Sequence, residues 1–314
     1  MNPKPYLLLL IMILDSMIIP NSACVCQSKG PFLRIMNMPD QYLHMSGSGE
    51  PIHFFHANGF PAGVYTPMLN TLKQQFDVYA LNSRATHTDA CDPEHKNWHV
   101  YADDLIDFIE TLGKPIIAIG HSMGASSTVL AAVKRPDLFK ALVLIEPAMV
   151  SLPISMVLRM MPKKMVNDTK LVKGTANKPD TWSTKEEYES YIRKFKGYSQ
   201  FSDEAFDAFL HHGIQKTDDA FKLVFHKKWE AYNYTNPPYL MGEFKKLNNL
   251  NIPTVAIRGK PNMFFSGKLW NKWQTVQTKA IFLENKRFSH LYPLESPSEC
   301  MALITKGLEK LNIQ

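Results

Sequence analysis

A five-residue motif, G-x-S-x-G, constrains the fold of this chain more than any other feature. It occupies residues 120–124, with Ser122 at its centre. The apolar run 116–119 before it is typical of a buried parallel strand, and the small residues after it favour a helix. Where a strand turns directly into a helix, the central residue is strained and exposed, and the flanking positions have no room for a Cβ atom. The motif therefore predicts Ser122 as an exposed nucleophile at a sharp turn.

The sequence on both sides of this motif alternates between strand and helix patterns. The predicted strands are residues 51–56, 77–81, 116–119, 141–145, 252–257 and 280–283. Such alternation is typical of a doubly wound, mostly parallel sheet, so we predict an α/β fold. From about residue 150 to 247 helical and aromatic patterns dominate and no strand is evident, which predicts a helical cap inserted between two strands. We expect one α/β domain over residues 31–314 that carries this cap.

The composition limits the kinds of molecule that this chain is expected to bind. The formal net charge of +6 is spread along the 314 residues and forms no dense basic stripe of the kind that nucleic-acid binding needs. Four cysteines, Cys24, Cys26, Cys91 and Cys300, lack the paired spacing of a metal site, and there is no phosphate-binding glycine fingerprint. We therefore expect a small-molecule substrate, and no nucleic acid, metal or cofactor. A disulfide is left open.

The N-terminal residues 1–30 predict either a signal peptide or a hydrophobic extension. The run 7–14 is apolar but too short for an ordinary membrane span, and residues 21–23 could end a signal peptide. Secretion or membrane anchoring through residues 1–23 and a cytoplasmic location both stay open. Membrane contact is suggested only for this stretch.

A serine nucleophile needs a base, and His290 is the predicted one. In hydrolases built on such a turn the order along the chain is Ser, acid, His. Four histidines follow the motif, namely His211, His212, His226 and His290. His290 comes just after the last predicted strand, at the carboxyl edge of the sheet where ligands bind. His211 and His212 fall in the cap and are expected to be solvated.

The acid is less evident. The loop after strand 252–257 carries Asn262, which cannot supply the negative charge that stabilises an imidazolium. Glu146, at the end of strand 141–145, can. Two interpretations of Glu146 stay open: a triad acid, with Asn262 as the alternative acid position, or a polar residue that only bounds the strand.

Backbone donors for an oxyanion and contacts to the substrate can also be proposed. The N–H of Met123, just after the nucleophile, is one donor, and Phe60 in the Gly- and Pro-rich turn after the first strand is the second. Asn58, His121 and Trp229 are candidate substrate contacts. The cap aromatics are more often packing residues than ligand contacts.

Three motifs together resemble those of the α/β-hydrolase superfamily, especially esterase- and lyase-like members. The H-A-N-G-F-P loop is residues 56–61, the G-H-S-M-G elbow is 120–124, and the segment H-L-Y-P-L-E is 290–295. The resemblance covers roughly residues 45–314. It implies Ser122 as nucleophile, His290 as base, and Phe60 and Met123 as oxyanion donors. The family usually has Asp where this chain has Asn262, but some members place the acid where Glu146 falls.

Taken together, these features predict a serine hydrolase. It would cleave an ester, thioester or amide of a small, fairly apolar compound through an acyl-enzyme. The alternative is a non-catalytic ligand-binding homologue that has lost its acid. Acyl transfer or lyase chemistry at the same site is a third possibility.

Overall fold

A computed structural model describes residues 41–87, 92–94 and 97–313. The predicted signal peptide or extension, and Cys24, Cys26 and Cys91, lie outside the described residues. Cys300 is described, and it is a buried free thiol. Within the described ranges, no helix combines the length and apolar character needed to cross a bilayer.

A seven-stranded sheet forms the centre of the molecule. Among the described residues the strands, in chain order, are β1 (Tyr42–Met45), β2 (Pro51–Phe55), β3 (Asp77–Leu81), β4 (Ile116–His121), β5 (Phe139–Ile145), β6 (Thr181–Trp182), β7 (Ile214–Lys216), β8 (Phe221–Leu223), β9 (Thr254–Arg258) and β10 (Ile281–Glu284). The order in the central sheet is β1-β3-β2-β4-β5-β9-β10. β1 pairs antiparallel with β3, and every other neighbouring pair is parallel. The prediction of a mostly parallel sheet is confirmed.

Helices cover both faces of this sheet. In chain order the helices of the described part are α1 (Thr66–Leu72), α2 (His99–Leu112), α3 (Met123–Lys134), α4 (Leu152–Met160), α5 (Lys163–Asn167), α6 (Lys170–Ala176), α7 (Lys185–Ile192), α8 (Asp203–His212), α9 (Lys227–Asn233), α10 (Met241–Leu250), α11 (Gly267–Val276), α12 (Tyr292–Glu295) and α13 (Pro297–Lys310). One face carries α1 and α13, and the other carries α2, α3, α10 and α11, so each face has its own hydrophobic core. Short 3₁₀ turns lie at Ala62–Tyr65, Arg84–Thr86, Pro136–Leu138 and Tyr198–Gln200.

The position of β4 in the sheet explains why residues 116–119, just before Ser122, are all apolar. Ile117 and Ile119 point into one core, whereas Ile116 and Ala118 point into the other. Successive residues of a strand face opposite sides, so a strand buried on both faces needs an apolar residue at every position. β4 is therefore the centre of the sheet, and its carboxyl end delivers Ser122.

The segment between β5 and β9 lies over the carboxyl edge of the sheet and differs from the sequence expectation in one respect. Besides the helices α4–α9, this part contains a three-stranded antiparallel sheet of β6, β8 and β7. The helix α10, which ends the segment, packs on a face of the central sheet. No strand was evident in the sequence of the segment because β6, β7 and β8 have only two or three residues. So short a strand shows no period-two pattern.

The order of the strands also positions the site. β3 lies on one side of β2 and β4 lies on the other. The chain therefore reverses its winding direction between β2 and β4, and the loops after these two strands diverge and leave a crevice. The 57–60 loop and Ser122 both border this crevice.

Candidate active site

Ser122 occupies the strained turn that the sequence predicts. Its φ is 54° and its ψ is −116°, a left-handed conformation that is unusual for a residue with a Cβ atom. A Cβ on Gly124 would lie 2.1 Å from the carbonyl oxygen of Phe55, and one on Gly120 would lie 2.5 Å from the backbone N of Ala125. The two glycines thus allow β2 and α3 to approach the turn.

The structure brings together Ser122, His290 and Glu146. His290 Nε2 lies 2.8 Å from Ser122 Oγ, and His290 Nδ1 lies 3.0 Å from Glu146 Oε2. A carboxylate oxygen can only accept, so Nδ1 carries the proton and Nε2 is left to accept from the serine hydroxyl. This is the tautomer that a general base for Ser122 requires.

Glu146 is fully buried, and its negative charge is balanced by donors from the loops after β9 and β10. The N–H of Gly259 donates to Oε1 at 2.6 Å, and Nδ2 of Asn262 donates to Oε2 at 2.7 Å. With His290, three donors therefore surround one carboxylate. Burial of a charge is tolerated only with such partners. Asn262, the alternative acid position, is thus a hydrogen-bond donor to Glu146.

His121 does not contact the cavity as a substrate-binding residue would; this part of the sequence expectation is corrected. Its Nε2 donates to the backbone oxygen of His290 at 2.8 Å, and its Nδ1 accepts from Tyr65 Oη at 2.8 Å. Burial lowers the pKa of His121 to about 3, helped by the nearby His290. A neutral His121 fits both bonds, one as donor and one as acceptor. It holds the backbone of His290 in place.

Of the two proposed oxyanion donors, Met123 has the clearer geometry. It is the first residue of α3, where backbone N–H groups have no acceptor within the helix. Phe60 lines the cavity, but its N–H donates to the carbonyl of Ala57 at 3.3 Å and closes a turn in which Gly59 has a φ of +86°. That bond is long for an N–H donor. Phe60 stays a predicted second donor.

Asn58 lines the cavity and also ties the loop after β2 to the cap. Its Nδ2 donates to the backbone oxygen of Glu230 at 3.0 Å, and its Oδ1 accepts from Nδ2 of Asn233 at 2.9 Å. Tyr101 Oη donates to Asn233 Oδ1 at 2.7 Å. Asn233 is fully buried. Helix α9 is thereby held against the loop that carries Phe60.

Trp229, on the same helix, is not among the residues that line the cavity. It is buried, and its ring packs edge-on against Tyr101 with centroids 6.4 Å apart. Because the Trp229 side chain faces the core side of α9, the expectation of a substrate contact is corrected to one of packing. His211 and His212 lie on α8, and neither lines this cavity.

A cavity of about 530 Å³ opens over Ser122 and His290, between the cap and the sheet. Its walls are mainly apolar, with Val150, Leu158, Leu171, Phe264 and Leu291 among them. Of the described residues that line it, none is Lys or Arg, and the one carboxylate is Glu230. A pocket of this size with few polar groups suits a small apolar ligand.

Glu230 and Tyr198 separate this cavity from a second one of about 330 Å³ within the cap. The carboxylate of Glu230 forms an ion pair with Lys178, which lines the second cavity. Its negative charge is therefore neutralised at the boundary between the two cavities.

Tyr65 and Asn233 gave no signal in the sequence, and neither did the pairing of Asn262 with Glu146. The pairs Asn262–Glu146, His121–Tyr65 and Asn233–Asn58 join residues 116, 56 and 175 positions apart. No local motif marks such pairs. Among the described residues, no group of three or more His, Cys, Asp or Glu side chains is arranged to hold a metal ion.

Comparison with known proteins gives one matching family and several similar proteins that are hydrolases. The family described as "Alpha/beta hydrolase family" matches residues 54–297. The chain is 36% identical over 102 residues to 2-(acetamidomethylene)succinate hydrolase of Mesorhizobium japonicum, which is 32% of this chain and 36% of that protein. It is 27% identical over 147 residues to monoglyceride lipase of Rattus norvegicus, which is 42% of this chain and 48% of that protein. The chain thus matches between a third and a half of the length of these curated relatives.

Solved structures agree on the fold. The crystal structure of E-2-(acetamidomethylene)succinate hydrolase superposes with a TM-score of 0.69 at 22% identity and covers 85% of this chain and 94% of that one. A peroxisomal alpha-beta-hydrolase from Saccharomyces cerevisiae has a TM-score of 0.69 at 17% identity and covers 85% of this chain and 78% of that one.

Proposed function

This chain belongs to the alpha/beta hydrolase family, and on that premise we propose that it is a serine hydrolase that cleaves a neutral, largely apolar carboxylic ester. The contact that carries the proposal is the linked pair of hydrogen bonds from Ser122 to His290 and from His290 to Glu146. Fold alone would not suffice, since one fold hosts many chemistries.

The first half of the reaction forms an acyl-enzyme. His290 Nε2 takes the proton of Ser122 as Oγ attacks the carbonyl carbon of the ester. The N–H of Met123, with Phe60 as the second donor, stabilises the negative oxygen that develops. The tetrahedral intermediate then collapses, the bond to the leaving alcohol breaks, and that alcohol takes the proton from His290.

The second half repeats these steps with water. His290 removes a proton from a water molecule, and the resulting hydroxide attacks the acyl carbon. The bond from the acyl group to Ser122 breaks, and the proton returns to Oγ as the acid is released. Glu146 stabilises the imidazolium form of His290 in both halves through the bond to Nδ1.

The cavity supports a neutral substrate. A second carboxylate on the substrate would lose its hydration without meeting a cation, because no Lys or Arg is among the described residues that line the cavity and Glu230 is already paired with Lys178. A relative named monoglyceride lipase supports an ester of this kind. By the same reasoning, a dianionic succinate derivative fits this chain poorly.

The alternative, a non-catalytic homologue, was considered because residue 262 is Asn, which cannot serve as the triad acid. The position of Glu146, 3.0 Å from His290, removes that motive. Catalysis is therefore favoured over ligand binding alone.

The test combines labelling with turnover of a water-soluble ester. We expect a fluorophosphonate probe to label wild type at Ser122 and to leave Ser122→Ala unlabelled. Wild type should hydrolyse p-nitrophenyl butyrate, and Glu146→Gln should lower kcat by about 10³- to 10⁴-fold, as in the serine protease case. The succinate monoester of the same phenol should be the poorer substrate. A folded wild type that stays unlabelled would refute the proposal, and an undiminished Glu146→Gln rate would remove Glu146 as the acid.

A further inference from the structure

The outer side of the cap exposes an unusual amount of apolar surface. We name as the cap face the three consecutive helices α4, α5 and α6, residues 152–176. Seven of the ten large apolar side chains that are exposed in the described part of the chain lie on it. A concentration of this kind on one surface marks a binding site for another molecule, whereas exposed apolar residues scattered singly do not.

Helix α4 shows the feature most clearly. Its buried residue is Ser155, whereas Met156, Val157 and Met160 point to solvent, and Met160 is 82% exposed. A helix that packs on a water-soluble protein normally buries its apolar stripe and exposes its polar one. Helix α4 instead exposes five apolar side chains and turns Leu158 towards the cavity, so most of its apolar surface contacts nothing in the described part of the chain.

The charges of the cap face are mostly positive. It carries Arg159, Lys163, Lys164, Lys170 and Lys173 but only one carboxylate, Asp168. Within the described ranges, Lys173 pairs with Asp168 at 3.8 Å, and the other four cations form no ion pair. Exposed apolar side chains flanked by cations are the pattern of a helix that lies at the interface of a negatively charged membrane.

The cap face is continuous with the cavity over Ser122. Leu171 on α6 is partly exposed on the cap face and also lines the cavity. Met263, on the loop after β9, is 79% exposed and lines it as well. An apolar molecule can therefore pass from this surface to the reacting serine along apolar side chains.

We propose that the cap face docks on the surface of an anionic phospholipid bilayer, and that the ester substrate is a neutral lipid that enters the cavity from that bilayer. The identity of the substrate rests on the function proposed above, whereas the docking does not. The helices of the cap face have nine, five and seven residues, so they lie in the interface and do not cross it.

The docking test uses the full chain and phosphatidylcholine vesicles with or without about one-third phosphatidylserine. Two double variants weaken the cap face, Val157→Glu with Met160→Glu and Lys163→Glu with Lys164→Glu. Each should lower the ratio of vesicle-bound to free protein by about tenfold or more. Binding of wild type should need phosphatidylserine and should weaken as salt is added.

The matched controls are Leu250→Glu and Lys310→Glu. Both residues are exposed. Leu250 is the last residue of α10, which leads into β9, and Lys310 is the last residue of α13, which follows β10. Both residues therefore lie near the amino edge of the sheet, opposite the cavity. We expect both controls to bind vesicles like wild type.

Two further variants separate docking from catalysis. Ser122→Ala should bind vesicles like wild type. The Val157→Glu, Met160→Glu variant should hydrolyse the water-soluble butyrate ester like wild type but lose turnover of a monoacylglycerol held in the vesicles. If no ester is cleaved although vesicles are bound, the proposed function fails and the docking surface stands.

Two results would overturn the docking proposal. Undiminished vesicle binding by both double variants would place the membrane contact elsewhere, for example in residues 7–14. A wild-type dimer that the cap-face substitutions convert to a monomer, with vesicle binding unchanged, would show that a second copy of the chain covers this surface.

Discussion

Asn262, the alternative acid position of the sequence analysis, holds the carboxylate of Glu146 by a hydrogen bond. Its amide Nδ2 donates to Oε2 of Glu146 at 2.7 Å. Its Oδ1 accepts from the backbone N–H groups of Phe264 and Phe265, both at 2.9 Å, which fixes the direction of the amide. Asn262 is therefore a positioning residue for Glu146.

Asn262→Asp should lower the rate, although it adds a carboxylate at the alternative acid position. The new carboxylate would lie within hydrogen-bond distance of Glu146, and the charge of each group disfavours ionisation of the other, which raises one pKa of the pair. The pair would retain a proton, so we expect kcat at pH 7 to fall by about tenfold and to recover as pH rises through the raised pKa of the pair. The kcat–pH profile measures this.

Asn262→Ala is the control, because it removes the donor without adding a charge. Loss of a hydrogen bond to a charged group costs about 1.5–3 kcal/mol, so a similar loss of rate is expected but without the added pH dependence. An Asn262→Asp variant with the wild-type rate and profile would contradict the role given to Asn262.

At the scale of elements, the site depends on close approach between β2, β4 and α3. Ser122 belongs to none of these alone, since it is the single residue between β4 and α3, and the backbone of β2 closes the third side. The cap is a separate element, and it is held to this assembly through the bonds of Asn58 to α9. Ser122 and the loop of Phe60 are thus positioned by different pairs of elements.

Gly124→Ala should be strongly destabilising, whereas the same change at Gly174 should not be. A Cβ on Gly124 would lie 2.1 Å from the oxygen of Phe55, so β2 and α3 would have to separate. Overpacking of this kind costs typically 1–3 kcal/mol and occasionally more. Gly174 lies in α6 with no atom within 4 Å of an added Cβ. There Ala should stabilise the chain by up to about 1 kcal/mol.

Urea unfolding of the two variants at pH 7 provides the measurement. The difference between the free energies of unfolding of the two variants tests the close approach of β2 and α3. Equal free energies of unfolding for Gly124→Ala and wild type would contradict it.

At the scale of the whole molecule, three buried histidines make the fold sensitive to acid. Burial lowers the pKa of His53 to about 3, of His56 to about 4 and of His121 to about 3. In the unfolded chain each should titrate near about 6.5. Below that pH the unfolded state binds more protons than the folded state, so acid favours unfolding.

The contribution of these histidines to the free energy of unfolding should therefore be complete at about pH 7 and should decrease as pH falls from about 6.5 towards 4. Each histidine adds up to about 1.4 kcal/mol per pH unit in this window. Urea titrations at closely spaced pH values measure the slope. His53 lies outside the site, and the variant His53→Asn should reduce the slope by the amount that corresponds to about one bound proton. A free energy that does not change between pH 6.5 and 5 would be incompatible with neutral buried histidines.

Much of the sheet could be predicted from local patterns. The predicted strands 116–119 and 141–145 agree with β4 and β5 to within two residues, because a strand buried on both faces is a continuous apolar run. β1 was not predicted, since it is a half-exposed edge strand of four residues. The cap strands were missed because of their length.

The site was predictable only in part. Ser122 and Met123 follow from the turn itself, because strain, glycines and the start of a helix are all local properties. The assignment of His290, Glu146 and Ser122 as a catalytic triad stays a prediction, although their side chains are within hydrogen-bond distance of one another.

The sequence by itself determined the alternation of strands and helices, the strained turn at Ser122 and the family, because each depends on residues that are neighbours in the chain. Only the tertiary structure decided that Glu146 faces His290, that Asn262 donates to Glu146, and that His121 bonds to the backbone of His290. These contacts join residues more than a hundred positions apart, so their partners are selected by the packing of the sheet and its loops. The exposed apolar side of α4 has the same origin, since a helical pattern specifies which residues share a face but not which way that face points.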